Sequence, residues 1–264
     1  MRTRRLELLR PEEILGEMRQ RSVVYLPLGP LEWHGPHLPY GTDPLYAYEV
    51  SLRVAESLGG IVHPCLFLGT ERERDPATLR NLGFIGTEWV VGMDFPLNSL
   101  PSPYIPEEVL GIVVRHLIYQ VQRMGFQHVV LVNGHGARNH IALLRRLCAE
   151  ISAEGRGRVH YVFTFPDGVG TWSRRHHAST DETAVMQHLF PEAVNTAALP
   201  PAGQPIRARD FAVVDEEAFE GRTLPECYIR EDPRTATPAL GEKHLAAAVH
   251  AIVEALKETL AIQI

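Results

Sequence analysis

The sequence predicts an α/β protein, a single-domain, three-layer αβα arrangement around a mostly parallel central sheet. Three observations predict it. Short apolar runs of strand length alternate with segments whose apolar residues recur at helical spacing. Strand–helix alternation favours parallel pairing, because a parallel connection needs a crossover and the crossover packs on a sheet face. Finally, 264 residues with 45% hydrophobic and 22% charged content can bury a core without disulfides or structural zinc, and rule out intrinsic disorder.

Taken in order, Val23–Leu28 is an apolar run closed by Gly29-Pro30, a buried strand feeding a loop. Asp43 to Leu58 is a helix, with Leu45, Tyr48, Leu52, Ala55 and Leu58 on one stripe and Gly59-Gly60 as its stop. Ile61–Leu68 reads as a second strand, at an edge or irregular because of Pro64. Residues 70 to 106 lack periodicity and are dense in Pro and Gly, the pattern of a lid, binding loop or oligomer contact. Pro106-Glu107-Glu108 opens the next helix, its apolar face expected at Val109, Ile112, Val113, Leu117, Val121 and Met124. Phe126–Val132 is the third strand, Asn139–Ile151 a helix and Val159–Phe165 a further strand. A C-terminal helix from Glu242 carries Leu245, Ala248, Val249, Ile252, Val253 and Leu256 on one face. No repeat, low-complexity tract or linker divides the chain, so one domain over residues 1–264 is expected.

Charge and cysteine usage narrow the function classes. With 26 Lys+Arg against 32 Asp+Glu the formal charge is −6, which argues against nucleic acid or an anionic membrane as the main partner. Cys65, Cys148 and Cys227 are odd in number and widely spaced, giving neither a disulfide framework nor a zinc knuckle. The basic start has no apolar run behind it, and no stretch approaches a membrane span. A soluble, cytoplasmic protein is expected.

Thirteen histidines are the unusual feature, and their placement matters more than their number. In α/β sheets the site lies beyond the carboxyl ends of the strands. After the first strand, a loop fixed by Gly and Pro carries Glu32, His34, His37 and Asp43; after the third, Asn133-Gly134-His135-Gly136 makes a tight turn. Glu, Asp and His are the donors preferred by zinc, manganese or iron, and a carboxylate can bridge two ions. Glu32 and His34, two positions apart, point the same way from an extended segment. Alone, each would be a solvated loop residue or a helix-end histidine; together they point to a metal site. His37 is assigned a supporting or surface role, and His63 a core position. Thr180-Asp181-Glu182-Thr183, taken by itself, is a capped helix start with acids in its first turn.

These motifs resemble the creatininase family. Its first motif, Glu-x-His-Gly-x-His-Leu-Pro-x-Gly-Thr-Asp, is met by Glu32, His34, Gly35, His37, Leu38, Pro39, Gly41, Thr42 and Asp43. Its second, Asn-Gly-His-Gly-Gly-Asn, is matched by Asn133–Gly136, with Ala137 and Arg138 before Asn139. Its third, His-Ala-Gly-x-x-Glu-Thr-Ser, is matched by His177, Ala178, Glu182 and Thr183, with Ser179 and Ala184 substituted. Near the end, Asp232-Pro233, Ala236-Thr237 and Gly241 look like a further family segment.

The resemblance implies two divalent ions per chain (Zn, Mn or Fe): Glu32 and His135 on one, His34 on the other, Asp43 bridging. Creatininase has a ligand Glu two residues after its second-motif His; Ala137 stands there, so Glu182 is assigned as the ligand completing the second ion, or as a catalytic acid/base. His177 resembles the family's proton shuttle, protonating the leaving nitrogen after metal-activated hydroxide attacks a carbonyl. Trp172, Arg174 and Arg175 stand where the family clamps its substrate; the arginines suit a carboxylate or phosphate, or else are solvated. The resemblance further implies a homo-oligomer, commonly a hexamer. Three readings follow: an amidohydrolase on a small cyclic amide or formamide, creatinine not being the predicted substrate; a peptidase trimming a small modified peptide in cofactor maturation; or a catalytically decayed, metal-retaining binding protein.

Overall fold

The computed structural model describes residues 2–165, 176–215 and 232–260. Four parallel strands form one sheet in the order β2-β1-β3-β4, where β1 is Val23–Leu28, β2 Ile61–Val62, β3 His128–Asn133 and β4 Arg158–Phe163. The central pair is in register from Val23 opposite His128 to Leu28 opposite Asn133, and Asn133 in turn faces Phe163. Strands β1 and β3 therefore end side by side, which brings the two motif loops together.

Alternation along the strands builds two cores. Val23, Tyr25, Val130, Val132 and Val162 face α2 (Thr42–Leu58) and the last helix, Pro238–Thr259, through Val50, Val54, Leu245, Ala248 and Ile252. Val24, Leu26, Leu28, Val129 and Leu131 face the opposite layer, α4 (Glu107–Met124) and α5 (Arg138–Ala153), through Leu110, Val114, Ile118, Leu144 and Ile151. This is the expected three-layer αβα sandwich. A helix α1 (Pro11–Gln20) precedes the sheet, and α6 (Thr180–Leu189) packs against the last helix.

Several expectations need correction. The second strand stops at Val62, because Pro64 cannot continue a ladder; only a bridge from Leu66 to Leu28 remains of its second half. His63 is not a core residue but half-buried, its Nδ1 2.8 Å from the Pro64 carbonyl. The α4 stripe is rotated: Leu110, Val114, Ile118 and Val121 are buried, whereas Val109 and Met124 are exposed and Ile112 is 69% exposed. Valine and isoleucine occupy both sides of this helix, so apolar spacing alone does not select the core side. The 70–106 stretch contains a short helix, α3 (Pro76–Asn81), capped by Asp75, whose carboxylate accepts from Ala77 N–H and Thr78 N–H. A small core of Leu79, Leu82, Val90, Met93 and Phe95 holds this stretch together, with Ala212 and Val214 from beyond α7 (Ala208–Phe211) and partly buried Trp33. The last helix, α8, begins at Pro238 rather than Glu242, with Thr237 accepting from Leu240 N–H.

Candidate metal centre

The loop leaving β1 carries Glu32 and His34, the first turn of α2 supplies Asp43, the turn after β3 supplies His135, and the start of α6 supplies Glu182. All five are buried. Gly134 makes the junction possible: a Cβ there would sit 2.1 Å from the Asp43 carbonyl oxygen, so only glycine lets the β3 turn approach α2 so closely.

Asp43 divides its carboxylate between two histidines. Oδ1 lies 3.2 Å from His34 Nε2 and Oδ2 lies 2.8 Å from His135 Nδ1. Glu32 Oε2 stands 3.3 Å from His135 Nδ1 and 3.8 Å from His34 Nε2, and Glu182 Oε2 stands 4.0 Å from His34 Nε2. Three donor groups result, Glu32–Asp43–His135, His34–Asp43–Glu182 and Glu32–His34–His177, the atoms of each lying within 4.8 Å of one another. The first two share Asp43.

Surrounding bonds orient these donors. In its neutral form His34 donates Nδ1–H to the Glu32 carbonyl, 3.1 Å away, which turns the Nε2 lone pair toward the carboxylates. His34 Nε2 is buried with no hydrogen-bond partner among the described residues. The Asn133 side chain brackets its turn, accepting from His135 N–H at 3.0 Å and donating to the His135 carbonyl at 2.7 Å. Ala178 adopts a left-handed φ of 54°, a conformation that costs a non-glycine residue about 1–2 kcal/mol, and donates its N–H to Glu182 Oε2 at 2.5 Å. His177 donates Nε2–H to the Trp33 carbonyl at 2.7 Å, leaving Nδ1 4.0 Å from Glu32 Oε2.

The electrostatics are those of an anionic pocket. Burial alone would lower the His34 pKa, but Asp43, Glu182 and Glu32 override it and raise the ring to about 10. Burial likewise opposes the charge on His135, yet Glu32 and Asp43 hold it well above the usual histidine range. Burial pushes Glu182 up to about 7, opposed by His34 and assisted by Asp43 and Glu32. Three buried carboxylates thus draw protons onto neighbouring histidines, and a divalent cation is the natural replacement for those protons. The donor set, the shared Asp43 and the buried His34 Nε2 all fit metal ions.

His37 is buried, with Nε2 3.0 Å from Thr183 Oγ1, so it supports the α6 start. Trp172, Arg174 and Arg175 lie outside the described residues. Two neighbours join the centre that the motifs do not announce. Tyr104 donates its hydroxyl to Glu32 Oε1, and His140 packs edge-on to His135 with ring centroids 5.1 Å apart. Tyr104 sits in an aperiodic stretch with no local signal; His140 is visible in the sequence only as a histidine one helical turn past the second motif. A cavity of about 30 Å³ lies beside Glu182, lined also by Gly134, Gly136, Phe163 and Phe165.

The family model described as "Creatininase: Creatinine amidohydrolase" matches residues 7–256. A mycofactocin precursor peptide peptidase of Mycolicibacterium smegmatis is 27% identical over 252 residues, covering 89% of this chain and 84% of the relative. The creatinine amidohydrolase of Pseudomonas putida is 27% identical over 257 residues, covering 89% of each. Solved creatininase structures, one described as a manganese form and one as zinc–zinc, match with a TM-score of 0.69 at 22% identity, over 98% of this chain and 99% of theirs. That structural likeness carries the fold, and the family match spans nearly the whole sequence: the chain belongs to the creatininase family.

Proposed function

We propose that the protein is a two-metal amidohydrolase that cleaves a carbon–nitrogen amide bond in a small substrate. The observation that carries this reading is Asp43, whose two oxygens face His34 and His135 separately. Glu32 and His135 would hold one ion, His34 and Glu182 the other, with Asp43 between them; Glu182 thereby replaces the carboxylate missing at Ala137. Zinc, manganese or iron suit these donors, and the manganese and zinc forms of solved relatives support the first two. When bound, such ions polarise a carbonyl and make a water acidic enough to attack at neutral pH.

The protein's own contribution is orientation and proton transfer. The Trp33 carbonyl fixes the His177 ring with its free Nδ1 on the metal-donor side. In the metal-free chain the His177 ring is favoured in its neutral form, its pKa lowered to about 4 by burial and the nearby His34 charge. It takes a proton from the attacking water and returns it to the leaving nitrogen. Trp172, Arg174 and Arg175 are proposed to contact the substrate, and the whole chain, residues 1–264, to act as one cytoplasmic domain. Exposed Ile85, Trp89, Leu97 and Leu100 support assembly into a homo-oligomer, a hexamer by family resemblance. No described helix is long and apolar enough to cross a membrane.

A second reading, trimming of a small modified peptide, is favoured by the peptidase relatives. The test is turnover of a panel holding cyclic amides, formamides and short peptides by manganese- or zinc-loaded protein. Hydrolysis of the first two classes supports the primary reading, hydrolysis confined to peptides supports the second, and no turnover by fully loaded protein overturns both in favour of a metal-retaining binding protein.

A further inference from the structure

The irregular stretch between β2 and α4 reaches into the centre at one point. Tyr104 donates its hydroxyl to Glu32 Oε1, and the hydroxyl oxygen in turn accepts Met93 N–H at 3.2 Å. Glu32 is buried, and its other oxygen, Oε2, is the one that faces His135, His34 and His177. The two carboxylate oxygens therefore have separate assignments.

Two further observations tie this stretch to the ligand loop. Ser102 Oγ accepts Trp33 N–H at 3.0 Å, between the two donors Glu32 and His34. Gly92 provides the space for the tyrosine: a Cβ there would lie 2.7 Å from the Tyr104 hydroxyl oxygen and 2.8 Å from Cζ.

We propose that Tyr104 is a positioning residue for the metal centre: its hydroxyl engages Glu32 Oε1 and thereby presents Oε2 alone to the ion shared with His135. This rests on the two-metal reading. Without the hydroxyl, Glu32 is free to rotate or to offer both oxygens, and the ion that depends on it is held less tightly, while the His34–Glu182 side keeps its donors. Outer partners of metal ligands typically contribute about 10- to 100-fold in affinity.

The test is Mn(II) titration of the full chain, wild type beside Tyr104→Phe, read by chelator competition and by electron paramagnetic resonance. The expected wild type binds two ions with an exchange-coupled spectrum. Tyr104→Phe is expected to unfold cooperatively, to keep one ion at wild-type affinity, to bind the other about 10- to 100-fold more weakly, and to show a mononuclear six-line spectrum at one equivalent. A merely structural role would not separate the two ions. Should Tyr104→Phe fail to fold, Tyr104→Met decides instead, because its flexible side chain refills the site without a hydroxyl for Glu32; the same selective loss is expected. Two ions at wild-type affinity with a coupled spectrum in the folded variant overturn the role of Tyr104 alone. A wild type that binds no Mn(II) overturns the two-metal reading, and this role with it.

Discussion

Asp43 Oδ2 lies 2.8 Å from His135 Nδ1, joining the first turn of α2 to the end of β3 across 92 residues of chain. Because Oδ1 faces His34 as well, removing this one carboxylate strips a donor from both candidate ion positions. Asp43→Ala is therefore expected to drop metal content from about two ions per chain to below one, whereas Glu182→Gln loses only about one. Mass-spectrometric metal analysis of chelator-free protein makes the comparison. Equal losses in the two variants would show that Asp43 is not shared.

His177 is placed both to move protons and, through Nδ1, to join Glu32 and His34 as a third donor. The two roles separate cleanly in one variant. As a shuttle, His177→Gln retains both ions and loses about 10²- to 10⁴-fold in kcat. As a ligand, it loses an ion along with the activity. Retained metal with unchanged kcat would remove His177 from the chemistry altogether.

Legibility in the sequence follows how local each signal is. Val23–Leu28 and the turn at Asn133–Gly136 announce themselves within a few residues, so the alternation of strands and helices and the donors Glu32, His34, Asp43 and His135 are readable from the chain alone. Glu182 is readable only through the family motif, since Thr180–Thr183 by itself is an ordinary helix start. The side of α4 that packs inward depends on neighbours across the interface, and Ile112 exposes what its spacing suggests it would bury. Tyr104 is set by a pairing with Glu32 over 72 residues, inside a stretch without periodicity, and nothing local marks it.

Gly134 links fold and site in a single atom. A methyl group there would meet the backbone of Asp43, with the carbonyl carbon at 2.7 Å as well as the oxygen at 2.1 Å, and neither belongs to a side chain that can swing away. Gly134→Ala is expected to cost about 1–3 kcal/mol, the usual range for overpacking a tight contact. At about 2–4 °C of Tm per kcal/mol for a chain of this size, the thermal midpoint falls measurably. Since the displaced residue is the shared carboxylate, metal affinity should fall in the same variant. A Tm loss without any change in metal binding would separate the glycine's packing role from the site.

His160 on β4 offers a pH test away from the metal donors. Its Nε2 lies 3.1 Å from His128 Nδ1, the rings stack with centroids 5.4 Å apart, and Arg158 is nearby. Burial first, then the positive charge of His128 and Arg158, lowers the His160 pKa to about 4 from the ordinary histidine value of 6.5. The folded state therefore prefers the neutral ring more strongly than the unfolded chain does. Its contribution is fully present above about pH 6.5, is lost as pH falls toward 4, and changes no further below that. His160→Gln removes this proton uptake. Between pH 7.5 and 4.5 the wild type should lose more stability than the variant, on the order of 1 kcal/mol once the solvent-screened part of a half-exposed ring is discounted. Urea midpoints of both proteins at each pH measure it, and any titration at the metal centre, common to both, cancels in the difference. Parallel pH profiles for the two proteins would mean that this pair does not hold its neutral form in the fold.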